Sequence, residues 1–246
     1  MKLPLPGWCL LSLFALSLAT AAFANTAIAP EPRDANWVKR HEGFVESAKQ
    51  GGVDVLFLGD SITDGWRREE RGGGKKVWDR EFATLHAANF GISGDRTQHV
   101  LWRLENGELN GIKPKAIVLM IGTNNTGFER DGTTPRNTPA ETATGVSAIV
   151  KLLRAKLPSA KILLLAVFPR GEKPDHPQRL QVNEINQAIA KLADGKSVRF
   201  LDIGAKFLAA DGTLPKEIMP DFLHPAEKGY EIWAAAIKEP LAALLK

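Results

Sequence analysis

The sequence predicts an α/β protein, a three-layer α/β/α sandwich around a five-stranded, mostly parallel sheet. Three observations carry that expectation. Apolar runs of strand length alternate with segments of helical period along the 246 residues. Most of those runs are nearly continuous, as strands become when helices cover both faces of a parallel sheet. The composition, 44% hydrophobic and 24% charged, is that of an ordinary globular chain and excludes a disordered tail, a collagen-like repeat and a disulfide scaffold.

The first 24 residues read as a leader rather than as fold. Lys2 supplies a positive start, Trp8 to Leu18 is a mostly apolar stretch, and Ala22-Phe23-Ala24 makes a small-x-small cleavage site. The competing reading is a membrane anchor, but the apolar stretch is shorter than the ~20 residues a span needs. The expectation is therefore a signal peptide over residues 1–24, one domain over 25–246, and an exported protein without a stable membrane span. Cys9 falls inside the leader, so the mature chain has neither disulfides nor a thiol nucleophile.

Val53 to Leu58 reads as the first strand, ending at Gly59, and Ala87 to Phe90 as a weaker second. Ala116 to Ile121, Ile162 to Phe168 and Val198 to Leu201 complete the set. Between them, Thr97 to Glu105 fits a helix closed by Asn106-Gly107. Thr138-Pro139-Ala140-Glu141 is a capping box with proline at the first helical position. It opens a helix that carries Val146, Ile149, Val150, Leu153 and Leu157 on one face and stops at Pro158. Leu180, Ile185, Ile189 and Leu192 mark the next apolar face, and Tyr230, Trp233 and Ile237 the last.

In such sheets, sites form outside the carboxyl ends of the strands. The first strand runs into Gly59-Asp60-Ser61-Ile62-Thr63, which puts the Ser61 hydroxyl at the rim of the sheet beside the free N–H groups of a helix start. The second leads to Asn89 through Asp95, where Gly94 leaves a backbone N–H uncovered. The third exits into Gly122-Thr123-Asn124-Asn125, whose Asn124 amide suits a developing oxyanion. Near the C-terminus, Asp221 and His224 lie three apart, so that a carboxylate orienting one imidazole nitrogen would leave the other as a base. Each signal has an ordinary reading when taken alone: turn former, helix cap, or histidine capping the next helix. Together they supply nucleophile, base, orienting acid and oxyanion donors, a complete acyl-transfer set.

These blocks resemble the GDSL or SGNH family of esterases and lipases, and within it the catalytic subunits of platelet-activating-factor acetylhydrolase. Leu85-His86-Ala87, Asn89 to Asp95, His99 to Leu104, Gly122 to Asn125 and Pro169 to Pro174 carry the closer likeness, which covers the chain from about Val53 onward. The resemblance implies Ser61 as nucleophile, His224 as base and Asp221 as its orienting acid. It also implies an oxyanion hole from the N–H groups of Ser61 and Gly94 with the Asn124 side chain, Asp60 in support of the Ser61 turn, no metal and no organic cofactor. The animal subunits pair, which makes a homodimer one option. Two departures stand out: the third block ends in asparagine where many members have aspartate, and Glu129 to Thr138 looks longer than in the animal enzymes and is read as a pocket-side loop.

Several other signals fail. Gly-x-Ser-x-Gly is absent around Ser61, Gly72-Gly73-Gly74-Lys75-Lys76 is no phosphate loop, and the five histidines show no zinc spacing. His86 and His99 read as packed or capping residues. Trp66, Trp78 and Trp102 read as core. The net charge of +4 does not point to nucleic acid, because the densest basic stretch, Arg67, Arg68, Arg71, Lys75 and Lys76, is split by acids and glycines and reads as a solvated loop. The expected function is hydrolysis of short-acyl, chiefly acetyl, esters of a small molecule, lipid or acetylated sugar. The alternatives are a carbohydrate deacetylase such as an acetylxylan esterase and a noncatalytic carbohydrate-binding protein on the same fold.

Overall fold

The computed structural model describes residues 24–69 and 73–246. Nearly all of the leader, residues 1–23, and the Glu70-Arg71-Gly72 tip lie outside the described residues. Among the described residues no helix is long and apolar enough to cross a membrane.

The elements run α1 (Ala35–Lys49), β1 (Val55–Gly59), α2 (Ser61–Asp64), α3 (Lys75–Glu81), β2 (Ala87–Gly91), α4 (Thr97–Glu105), β3 (Ala116–Met120), α5 (Pro139–Lys156), β4 (Lys161–Leu165), α6 (Pro177–Ile189), β5 (Val198–Leu201) and α7 (Glu227–Leu244). The five strands form one sheet in the order β2-β1-β3-β4-β5, and every pairing is parallel. Alternation along each strand divides the core. Leu56, Leu58, Ile117, Leu119, Ile162 and Leu164 face α1, α4, α5 and α6. Val55, Phe57, Val118, Met120, Leu163 and Leu165 face α3 and α7.

The strand order places a switch point beside β1. The chain leaves β1 over the α3 face to reach β2, then crosses back over the α4 face to β3. The helices that follow β1 and β3 therefore lie on opposite faces, which opens a crevice beyond the carboxyl ends of those two strands. Ser61 follows β1 and Asn124 follows β3.

A buried arginine ties this end of the sheet together. Arg103, on α4, is fully buried. It donates from Nη1 to the Phe90 carbonyl of β2 at 2.9 Å and from Nη2 to the Gly59 carbonyl of β1 at 3.3 Å. Both Glu108 oxygens receive Nη1, at 2.8 and 2.7 Å, and Asp95 Oδ2 lies 3.0 Å from Nε. Next to this clamp, Gly91 has to be glycine. A Cβ there would stand 2.9 Å from the Asp60 carbonyl and closer still to the Asp64 N–H, so only a bare backbone lets α2 settle against β2.

Most elements fall where the sequence puts them, and three differences have physical causes. β4 ends at Leu165 instead of Phe168: Ala166 to Phe168 stay buried but continue past the strand ladder, with Phe168 packed on Phe207 and Trp233. Leu180 is 49% exposed. The buried stripe of α6 is Val182, Ile185 and Ile189, because five residues from Leu180 to Ile185 overshoot a helical repeat. The Arg67 to Lys76 stretch is not wholly a solvated loop. Arg67 pairs with Asp64 at 2.8 Å, Lys75 opens α3, and Gly74 is buried where a Cβ would meet the Trp66 and Tyr230 rings at 2.6 and 2.8 Å.

Removal of one partner from a buried ion network leaves the others uncompensated, at a cost of about 3–5 kcal/mol. Arg103→Met is therefore expected to lose stability of that order in urea unfolding. A loss below about 1 kcal/mol would show that the strand ends hold without the clamp.

Candidate active site

β1 delivers the chain to the rim of the sheet, and Asp60 turns it. Asp60 Oδ1 accepts the Ile62 N–H at 3.0 Å, and its carbonyl accepts the Asp64 N–H at 2.8 Å. These bonds cap α2, so Ser61 stands at the first helical position, where a backbone N–H has no partner within the helix. Tyr230 of α7 donates its hydroxyl to the Ile62 carbonyl at 2.9 Å and braces the same turn.

His224 reaches Ser61 across 163 positions of sequence. Its Nε2 lies 2.9 Å from Ser61 Oγ, and its Nδ1 lies 2.6 Å from Asp221 Oδ2. The Asp221–His224 segment is a turn, not the helical turn that a spacing of three suggests. Asp221 Oδ1 accepts the N–H groups of Leu223 and His224 at 3.1 and 2.7 Å, and Phe222 adopts a φ of 56°. One carboxylate thus shapes the loop with one oxygen and holds the imidazole with the other. Burial alone would raise the Asp221 pKa, but bonds from the His224 side chain and N–H hold it below the ordinary value. His224 does not cap the following helix: the cap of α7 is Ala226, with no side-chain bond.

The other two expected residues follow the neighbouring strands. Gly94, with φ +83°, lies where a Cβ would come 3.1 Å from the Arg33 guanidinium. The Asn124 amide donates one proton from Nδ2 to the Asp95 carbonyl at 2.9 Å, which leaves its second proton for another acceptor. Gly94 and Asn124 line a cleft of about 650 Å³ together with Arg33, Arg96, Glu129 and Arg136. The loop from Glu129 is thus on the pocket side, as its sequence suggests, and Glu129 grips Arg96 with both oxygens at 2.5 and 2.6 Å. His224 and Asp221 open onto a second cleft, of about 820 Å³, beside Arg68, Glu69 and Tyr230.

The model of the GDSL-like lipase/acylhydrolase family matches residues 57–232. The chain belongs to that family. Its relatives include the rat platelet-activating factor acetylhydrolase IB subunit alpha2, 43% identical over 216 residues, covering 86% of this chain and 84% of the relative. Among solved structures, a GDSL-like lipase from Bacteroides thetaiotaomicron has a TM-score of 0.63 at 22% identity, covering 85% of this chain and 96% of its own. An acetyl xylan esterase has the same TM-score at 24% identity, covering 76% and 98%. The chain is a hydrolase acting on esters, built on an α/β fold, and it shares more identity with the acetylhydrolase subunit than with either of these two solved structures.

Other members of this site escape sequence reading. Asn125, the asparagine that departs from the common family pattern, is fully buried. Its Oδ1 accepts the Thr97 N–H at 3.0 Å while its Nδ2 donates to Asn137 Oδ1 at 2.8 Å. A carboxylate could not make that donation. Tyr230 reads as core from its helical spacing, and nothing local marks its hydroxyl as the brace of the Ser61 turn. His99 is a capping residue, as expected, accepting the Arg96 N–H at 2.9 Å. Burial and the charges of Arg33, Arg96 and Arg103 hold its pKa down to about 3.

Asp60 titrates in the opposite sense. Complete burial pushes its pKa up to about 7, only partly offset by the Ile62 N–H and Arg170. The folded protein therefore holds this proton more tightly than the unfolded chain, and the resulting stability is lost as pH rises through about 7. Asp60→Asn keeps the acceptor oxygen and removes the titration. Its stability relative to the parent is expected to rise between about pH 4 and pH 8 in paired unfolding curves. An unchanged difference would place the Asp60 carboxylate in ordinary solvent.

Proposed function

We propose that this esterase removes short acyl groups, chiefly acetyl, from an alcohol oxygen through a Ser61 acyl-enzyme. The observation that carries the reading is the unbroken chain from Ser61 Oγ to His224 Nε2 at 2.9 Å and from His224 Nδ1 to Asp221 Oδ2 at 2.6 Å. A serine hydroxyl is a weak nucleophile until an adjacent base takes its proton. In the proposed first step His224 Nε2 takes that proton as Ser61 Oγ bonds to the ester carbon, and the carbonyl π pair moves onto oxygen. The N–H groups of Ser61 and Gly94 and the remaining Asn124 proton receive that charge. Collapse breaks the bond to the alcohol oxygen, which leaves with the proton from His224. Water then repeats the sequence on the acyl-enzyme and releases a carboxylic acid and free Ser61.

Asp221 needs no proton of its own in this scheme, because it fixes the imidazole tautomer and offsets the imidazolium charge. Preference for acetyl draws support from the acetylhydrolase relatives, whose names specify that group. The substrate is a small ester, a lipid or an acetylated sugar, and an exported location rests on residues 1–24 of the sequence alone.

The test is hydrolysis of p-nitrophenyl esters against acyl length, with Ser61→Ala run in parallel. Turnover is expected to fall steeply beyond acetyl and to drop by at least ~10³ in Ser61→Ala. A flat profile would contradict the short-acyl reading, and full activity in Ser61→Ala would move the nucleophile elsewhere.

A further inference from the structure

Arg170 lies on the segment that follows β4, within the Pro169 to Pro174 stretch that carries part of the family likeness. Its guanidinium Nη1 donates to the Thr123 carbonyl at 3.0 Å and lies 3.2 and 3.3 Å from the hydroxyls of Thr123 and Thr126. Those residues flank Asn124 on both sides. The next residue along, Gly171, donates its N–H to the Phe222 carbonyl at 2.8 Å, inside the Asp221–His224 turn. The segment itself is held from behind by Arg179, which is buried and donates to the carbonyls of Arg170 and Gly212 at 3.0 and 2.8 Å and also to that of Gly171. One short piece of chain thus touches the loop of the oxyanion donor and the loop of the base.

We propose that Arg170 is a positioning residue that holds the Asn124 turn and the His224 turn in a common register around Ser61. This rests on the roles given above to Ser61, His224 and Asn124. Those two loops lie a hundred positions apart in the sequence, and a strand ladder joins neither to the other. Without a brace their separation would follow the independent motions of two segments, and an error of about 1 Å in such placement can cost ~10²-fold in rate. Arg170 suits the task because one nitrogen of its rigid, planar guanidinium lies within 3.3 Å of three oxygens of the Asn124 turn. Its charge also acts on the Asp60 and Asp221 carboxylates, one at the Ser61 turn and one at the base. A lysine could supply the charge but not the fixed plane that aims that nitrogen.

The test is a double-mutant cycle on the full-length protein with Arg170→Gln and Asn124→Ala, with Arg170→Lys as the conservative variant. Each is assayed for kcat and KM on a neutral acetate ester, phenyl acetate, and an anionic one, 4-acetoxybenzenesulfonate, alongside thermal melting. Arg170→Gln is expected to lower kcat by about 10–100-fold on both esters with KM nearly constant, and Arg170→Lys to recover part of the loss. In the Asn124→Ala background the same substitution should cost clearly less, because the donor it positions is gone. Should Arg170→Gln not fold, Arg170→Lys decides: a reduced kcat at parental melting temperature supports the proposal, and a parental kcat overturns it. An unchanged kcat in Arg170→Gln, full additivity in the cycle, or a loss confined to the KM of the anionic ester would each overturn it, the last by making Arg170 a substrate contact. If the parent hydrolyses neither ester, the esterase reading fails, an outcome distinct from all of these.

Discussion

A single buried guanidinium sets the geometry from which the site is built. Arg103 bonds the last carbonyl of β1 and the next-to-last of β2 and is neutralised by Asp95 and Glu108, all three charges lying out of water. Such an arrangement is stable only when every member is present, since each charge is costly to bury alone. Here its consequence is positional. The Gly59 carbonyl precedes Asp60 and Ser61 directly, and Asp95 follows Gly94, so the Ser61 turn and the Gly94 turn share one anchor. Trp37 adds a bond to Asp95 at 2.6 Å from α1, which brings an N-terminal helix into the same support.

The remaining parts depend on contacts that cross the sheet. β3 carries Asn124 to the edge of the crevice, while the loop before α7 carries Asp221 and His224 to it from the far end of the chain. Ser61 is itself buried, at 7% exposure, whereas the Asp221 side chain is 56% exposed and the His224 side chain 31%. Ser61 is thus held in a buried turn, and His224 reaches it from a more exposed loop. That division suits the proposed mechanism, in which the nucleophile is held still and water must reach the base in the second half-reaction.

How much of this was legible follows from the range of each interaction. α4 ends where Asn106-Gly107 closes it and α5 starts at its capping box and proline, because such stops and caps are local signals, and β5 matches because its apolar run is bounded by turns. Ser61, Gly94 and Asn124 stand out in the sequence because the fold class directs attention to strand ends, and Asp221 and His224 by their spacing; the structure hydrogen-bonds Ser61, His224 and Asp221 in one chain. α1 was not read at all. Its buried stripe of Trp37, His41, Phe44 and Ala48 includes a histidine whose burial depends on Glu108 and the Asn106 carbonyl more than sixty positions away. Arg103 looks like any helix-surface arginine until β1 and β2 close over it. Arg170 and Tyr230 act through carbonyls of distant turns, and main-chain acceptors leave no mark in a sequence.

The central claim is that Ser61 becomes covalently bound during turnover, and a mechanism-based label addresses it most directly. The protein would be inactivated with a p-nitrophenyl phosphonate, which mimics the tetrahedral stage of acyl transfer, and the adduct located by peptide mass mapping. The account predicts one phosphonyl group per chain, attached to Ser61, with loss of ester turnover in proportion to labelling. A label on another residue that abolishes turnover, or full turnover by a chain labelled at Ser61, would contradict it.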